Sequence, residues 1–207
     1  MKKGWQILPA LFFYLAPMYY TLDITGTADA AAIVSTANLK EFLRVDHTDE
    51  DTLIEALRLA AIDYVQNYCN LQFGDVTAIM YLDNFPGHWE IPTGPVQSIT
   101  SITYNPTAST TSTLSVNNYF VDTKRKPARI TMVNPPSVYP DISNGVQVNM
   151  SLGYLEADVP AGLVHGIRLL VAHYYENRNI VAVGSIATEV PNLIHSLLNP
   201  YRIISDR

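Results

Sequence analysis

Three groupings of residues in the sequence could do chemistry. His173-Tyr174-Tyr175-Glu176 sets an imidazole and a carboxylate on one face of a helix, and His165 lies about two turns earlier on roughly the same side. Such a set could hold a divalent metal and activate water for hydrolysis. A working centre would need further ligands and outer partners to orient them, and no comparable cluster occurs elsewhere in the chain. Asp46, Asp49, Glu50 and Asp51 could serve as paired carboxylates or as a calcium loop. The glycine and distal glutamate of a calcium loop are missing at the required spacing, and helix N-capping with a solvated acidic turn accounts for these residues. Lys124-Arg125-Lys126 with Arg129 is the one basic cluster, fit for a DNA phosphate or an acidic partner if it is not a solvated hairpin turn. There is no glycine-rich phosphate loop, nucleophile elbow or His-Glu-x-x-His pattern. The expectation is a chain with no catalytic residue, no metal and no cofactor.

Composition narrows the classes further. A chain of 207 residues can hold one sizeable domain or a core with an inserted subdomain. Apolar residues make up 48% and charged residues only 15%, well under the usual quarter. A surface poor in charge is easier to bury against neighbours, which favours an assembly subunit. The net charge of −6 argues against a general nucleic-acid binder, whose footprint is a basic field, though not against a protein that lets DNA slide past. Cys69 is the single cysteine, so neither an intrachain disulfide nor a cysteine-cage zinc site is available. Its place on an apolar helix face predicts a buried thiol. Lys2 and Lys3 ahead of the apolar run Trp5–Leu15 imitate an export signal, and Ala28-Asp29-Ala30 could pass for its cleavage site. Pro9 and Pro17 interrupt that run, the polar stretch Thr21–Thr27 separates it from the site, and it is too short to span a bilayer. An apolar arm packed on a neighbouring subunit is the favoured reading.

The elements that must position these residues follow from periodicity. Ser35 or Thr36 caps a short helix from Ala37 to Val45, with Leu39, Phe42 and Leu43 on one face. Thr48-Asp49-Glu50-Asp51 reads as a capping box opening a helix over Asp49–Tyr68, with Leu53, Ile54, Leu57, Ala61, Tyr64, Val65 and Tyr68 at helical spacing. From Phe73 to Tyr154 strand-like runs alternate with turn signals: Val76–Leu82, His88–Ile91, Val96–Tyr104, Tyr119–Asp122, Arg129–Met132 and Val146–Leu152. Thr107–Ser115 reads as a mobile hairpin tip. Pro160 opens a helix reaching about Asn177, with Leu163, Val164, Ile167, Leu170, Val171 and Tyr174 on its apolar face. A flexible segment around Val183-Gly184-Ser185 leads to a short helix starting near Pro191, carrying Leu193, Ile194, Leu197 and Leu198 and stopping at Asn199-Pro200. The expected class is α+β, a helical core of about four helices with an inserted small antiparallel β subdomain. The expected parts are an extended arm over 1–34, a helical pair over 35–72, a β-rich insert over 73–155, and C-terminal helices and tail over 156–207, with 35–207 acting as one domain.

Three blocks of sequence resemble one known family. Val34-Ser35-Thr36-Ala37-Asn38-Leu39-Lys40-Glu41-Phe42-Leu43-Arg44-Val45-Asp46, followed by Asp49-Glu50-Asp51-Thr52-Leu53-Ile54, is similar to the opening of head–tail connector (neck adaptor) proteins of tailed double-stranded DNA phages and phage-like particles. Tyr119-Phe120-Val121-Asp122 with Pro127-Ala128-Arg129-Ile130 resembles that family's hairpin. Val159-Pro160, Leu169-Leu170-Val171-Ala172-His173-Tyr174-Tyr175-Glu176-Asn177-Arg178, and Val183-Gly184 through Val190-Pro191 to Leu197-Leu198-Asn199-Pro200-Tyr201-Arg202 form the most specific block. The resemblance runs in order from about Tyr19 to Arg202; residues 1–17 are an extension without precedent in it, and the Lys124-Arg125-Lys126 turn is more basic than its pattern.

That resemblance implies a non-enzymatic subunit of the virion neck, assembled in the host cytoplasm, which joins copies of itself into a ring, usually a dodecamer. Its partners would be the portal protein and a head-closure or tail-completion protein. Double-stranded DNA would pass through the channel without sequence-specific contact, and no membrane is involved. Leu193, Ile194, Leu197 and Leu198 with Tyr201 and Arg202 are the expected portal-docking residues, because a short apolar helix beyond a Gly-Ser joint gains stability from a partner. Lys124, Arg125, Lys126 and Arg129 are the candidate contact to DNA or another partner, and the β insert would face a neighbour or the tail side. Two other readings stay open: a secreted or periplasmic β-rich binding module, and a metal-dependent hydrolase built on His165, His173 and Glu176.

Overall fold

The computed structural model describes residues 20–26, 33–177 and 191–205. The apolar run of residues 5–15, the Ala28-Asp29-Ala30 site and the Val183-Gly184-Ser185 segment lie outside them. The chain is α+β, and its described residues form four α-helices and two antiparallel sheets.

The helical part opens with α1 (Thr36–Leu43), whose N-terminus is capped by the Ser35 hydroxyl accepting from the Asn38 N–H at 3.2 Å. It stops two residues short of the expected end because Arg44 adopts the left-handed conformation (φ 60°) and turns the chain. The second helix, α2 (Asp51–Cys69), starts later than the spacing predicts. The expected capping box does not form: Thr48 contributes its backbone carbonyl to the Asp51 N–H, and Glu50 turns its carboxylate to accept from the Tyr175 hydroxyl. With α3 (Ala161–Glu176) and α4 (Asn192–Leu198) these helices enclose one apolar core that includes Leu39, Ile54, Val65, Cys69, Ile167, Leu170, Val171 and Leu198.

Between α2 and α3 the chain builds its strands. Five form one sheet in the order β1 (Tyr20–Ile24), β2 (Val76–Leu82), β8 (Val146–Leu152), β4 (Val96–Thr107), β5 (Thr110–Thr113). Three form the other: β3 (His88–Ile91), β7 (Ala128–Met132), β6 (Tyr119–Asp122). Strict alternation along β2 and β8 sends Ala78, Met80, Leu82, Val146, Val148, Met150 and Leu152 to one face, where Trp89, Ile91, Ile130 and Met132 from the smaller sheet complete a second core.

Two strands escaped the sequence reading. Tyr20–Ile24, inside the stretch assigned to an extended arm, pairs with β2 from Tyr20↔Leu82 to Ile24↔Ala78. The hairpin expected at Thr107–Ser115 is present and is strand-paired: β4 runs on to Thr107 and returns as β5, tied by Asn105 Nδ2 to the Thr110 carbonyl at 3.2 Å. Thr and Ser runs read as low complexity, yet β-branched threonine suits a pleated edge.

The two cores meet at a joint of crossing backbone segments. The Gln72 N–H donates to the Gly94 carbonyl (2.8 Å), the Gly74 N–H to Tyr154 (2.7 Å), the Tyr154 N–H to Gln72 (2.9 Å) and the Gly153 N–H to Pro95 (2.7 Å). The C-terminal tail joins in, with the Ile203 N–H on the Cys69 carbonyl (2.8 Å) and Asn70 Nδ2 on the Ile203 carbonyl (2.9 Å). Only glycine fits at 153, where φ is +109° and a Cβ would sit 1.9 Å from the Gly74 carbonyl oxygen.

Candidate interaction surfaces

The C-terminal helix is divided between two duties. Ile194 and Leu198 are buried in the helical core, so they are not available to a partner while α4 stays docked. Leu198 lies over Gly166 of α3, where a Cβ would meet Leu198 Cδ2 at 2.8 Å, and Tyr201 lies over Gly162, whose Cβ would meet the Tyr201 hydroxyl at 2.5 Å. The Gly162-x-x-x-Gly166 spacing on α3 is thus the groove that seats α4, a signal present in the sequence and not used there. On the α2 side, the Tyr64 hydroxyl and His195 Nε2 lie 2.7 Å apart, and Tyr68 stacks on the His195 ring with centroids 5.0 Å apart. The Tyr68 hydroxyl donates to Asn199 Oδ1 at 2.8 Å. Arg202 donates from Nε to the Tyr68 carbonyl (3.1 Å) while its guanidinium covers the Tyr68 ring. Of the six expected docking residues, the structure leaves Leu193 (71% exposed) and Arg202 exposed and Leu197 and Tyr201 half-buried, with the exposed Ile204 close behind in the chain.

The basic turn is largely matched within the chain. Arg125 pairs with Glu90 at 2.7 Å. Lys126 donates to the Tyr154 hydroxyl at 3.0 Å and lies over the same ring. Arg129 stands in register between Glu90 and Asp122. Asp122 also closes the turn by accepting from the Lys124 N–H (3.0 Å) and the Arg125 N–H (3.3 Å). Strand pairing brings Glu90 from 35 residues away to Arg125, which adjacency in the sequence does not show. Lys124 is exposed at the turn.

The histidines do not converge. His165 is exposed on α3 and meets the edge of the Phe42 ring at 6.3 Å, whereas His173 Nδ1 faces Asn177 Nδ2 at 3.3 Å. Among the described residues no group of three His, Cys, Asp or Glu side chains is placed to hold a metal. Cys69 is fully buried; its thiol donates to the Leu198 carbonyl at 3.7 Å, and burial pushes its pKa up to about 11. Arg58 was missed altogether. It interrupts the apolar stripe of α2, is 4% exposed, and reaches Glu55 and the Val34 carbonyl. Thr36 donates to the same Glu55 carboxylate at 2.8 Å, so this network pins the start of α1 to α2. Its hydrogen bonds, that from Arg58 foremost, hold the Glu55 pKa below the usual carboxylate value.

Exposed apolar side chains gather elsewhere. Val116 (72%), Phe120 (71%) and Val133 (46%) stand at the β6 side of the smaller sheet, where the Val133 N–H donates to the Asn118 carbonyl at 2.8 Å.

The family model for head completion proteins matches residues 32–204, which spans the helical core and both sheets. The chain belongs to the head completion protein family. As a member of that family it is a structural protein of head completion and not an enzyme, which removes the hydrolase reading of His165, His173 and Glu176. Solved structures agree on the fold. A chain from the virion of a native gene transfer agent (GTA) particle superposes with TM-score 0.72 at 18% identity, covering 90% of this chain and 97% of that one. A chain from the neck of an empty GTA particle computed with C6 symmetry gives 0.69 at 18% identity with the same coverage. One from the neck of a native particle computed with C12 symmetry gives 0.65 at 16% identity, again over 90% and 97%. No curated protein matches the chain.

Proposed function

We propose that this family member is a ring-forming adaptor that sits between the portal and the head-closure or tail-completion proteins and extends the channel for DNA. The observation that carries the reading is the family match over residues 32–204, with a fold like that of chains in GTA necks. A ring of identical subunits needs two different faces on each copy. The chain offers separate exposed apolar groups for them: Val116, Phe120 and Val133 on the sheets, and Leu59 on the helical part. A twelve-fold ring is the proposed stoichiometry, matching the symmetry used for one of the similar necks. The net charge of −6 and the internal pairing of Arg125 and Lys126 favour a lumen that lets duplex pass without gripping its phosphates.

Portal docking falls on the outer side of α4 and the tail, through Leu193, Leu197 and Ile204. Deleting 190–207 would be a poor test, because it also strips Ile194, Leu198 and Ile203 from the core. Leu193→Asp is cleaner. The deciding experiment is the mass of the full-length protein in solution, alone and mixed with its cognate portal. A closed ring in either condition is expected, weakened on the portal by Leu193→Asp. A monomer indifferent to the portal would overturn the adaptor reading.

A further inference from the structure

The larger sheet is open at both ends. In the order β1-β2-β8-β4-β5, no described strand pairs on the far side of β1 or of β5. The register shows which backbone groups are left over. The Leu114 N–H donates to the Ile102 carbonyl (2.8 Å), so Leu114 and Ser112 face β4, while Thr111 and Thr113 turn their N–H and C=O away. At the other end the Thr25 N–H donates to the Thr77 carbonyl (2.9 Å). Asp23 therefore faces β2, and Leu22 and Ile24 point their N–H and C=O outward. Each edge thus offers a short row of main-chain donors and acceptors for another strand.

Free edges are ordinarily guarded by lysine, proline or other charged residues. Thr110–Thr113 has none of these, and Tyr20–Ile24 has only Asp23. The smaller sheet is guarded: Pro86 and Pro92 bracket β3, which carries Glu90, and β6 ends on Asp122. The two unguarded edges lie four strand spacings apart, roughly 19 Å, so they cannot satisfy each other within one chain. We propose that β5 of one copy pairs with β1 of the next copy, carrying the sheet across the subunit boundary. The inference rests on the ring reading given above. A head-to-tail ring joins two different surfaces of successive copies, and pairing β5 with β1 closes both edges of every copy at once. The direction of the new pair follows from the topology. Four antiparallel steps separate β1 from β5, so the two run the same way. With the core faces kept on one side of the joined sheet, β5 and the next β1 must pair in parallel. Copies related by a two-fold axis would instead join like edges, antiparallel.

The buried Cys69 leaves the background clean for cysteine cross-linking. Asp23, Thr111 and Thr113 are exposed and alternate onto the sheet face away from the β core. A full-length Asp23→Cys/Thr113→Cys double variant would be assembled with its cognate portal and oxidised, and Asp23→Cys/Thr111→Cys covers the neighbouring register. One of the two is expected to give a ladder of disulfide-linked oligomers on a denaturing gel. Neither Asp23→Cys nor Thr113→Cys alone should cross-link, because like edges do not meet. Thr113→Pro removes an outward N–H and no bond to β4. It should keep the melting temperature and raise the concentration needed for assembly at least about tenfold. Rings that form normally, give no ladder from either double variant and tolerate Thr113→Pro would overturn the edge pairing while leaving the ring intact. Disulfide dimers from a single variant would show like edges meeting and overturn it too. A chain that never assembles would remove the ring reading, and this inference with it.

Discussion

Cys69 shows how burial alone sets the reactivity of a group. Its thiol pKa is raised to about 11 because the folded core offers the thiolate no water, and the Arg202 charge offsets only part of that cost. Tyr64 and Tyr174 shift upward for the same reason. Each therefore keeps in the folded state a proton that the unfolded chain gives up at lower pH. Stability should then hold up to about pH 8.5, the ordinary thiol value, and fall as pH rises through the thiol and tyrosine range. Glu55 has the opposite sign. Its depressed pKa contributes stability above the ordinary carboxylate value, about 4.3, and that contribution disappears as pH falls through the folded value. Urea midpoints measured from pH 3 to 10.5 should trace a plateau with a fall at each end. With Glu55→Gln the acid limb should become shallower; an unchanged limb would show that Glu55 is not what acid attacks. Arg58→Ala should cost about 2–3 kcal/mol, since it removes a buried side chain and a partner of Glu55 and Val34 together.

At the scale of elements, the seat of α4 is the feature most open to mutation. Gly166→Val places branched carbons where Leu198 Cδ2 already lies 2.8 Å from a would-be Cβ. The expected loss is about 2–3 kcal/mol. Because the Cys69 thiol lies against the Leu198 carbonyl, the same change should open it to a thiol reagent at pH 8, which in the wild type reacts only after unfolding. Fast labelling of the wild type would show that α4 is already loosely held. The sequence revealed α2, α3 and α4 well because their apolar residues recur at 3.6-residue spacing. It also revealed the six core strands, whose alternation and turn residues are local signals. It missed β1 although Tyr20, Leu22 and Ile24 alternate with Thr21 and Asp23, because the run is short and stands in a stretch read as an arm, and it missed β5 because Thr110–Thr113 is β-branched but has no apolar alternation. The partners of the basic turn were hidden for a related reason. Lys124-Arg125-Lys126 is contiguous in sequence, while Glu90 and Tyr154, which engage Arg125 and Lys126, arrive only through sheet pairing and tertiary packing. The α4 residues looked like a free docking face because a helix pattern shows that one side is apolar and not what covers it.

For the molecule as a whole, the charge distribution makes a prediction about DNA. A protein that gripped duplex would show binding that weakens steeply with salt, in proportion to the phosphates neutralised. With Arg125 and Lys126 engaged internally and a net charge of −6, retention of double-stranded DNA at 150 mM salt should be undetectable in a filter or gel assay. Lys124→Glu should change nothing measurable. Tight binding lost with Lys124→Glu would instead make the turn a phosphate contact.

The joint at Gln72, Gly94, Gly153 and Tyr154 bears on mechanics. The helical and β cores are connected by hydrogen bonds from several backbone segments that cross in one small region, with the C-terminal tail threaded beside them. A single covalent linker would act as a hinge and let one half swing while the other stayed still. Several fastened strands act as a strut. A pull or twist applied at the β end is carried to the helical end as a rigid displacement of the subunit, with the hydrogen bonds sharing the load in parallel. In the ring proposed above, geometry at one end would then set geometry at the other, and widening on the sheet side would require every subunit to tilt as one body.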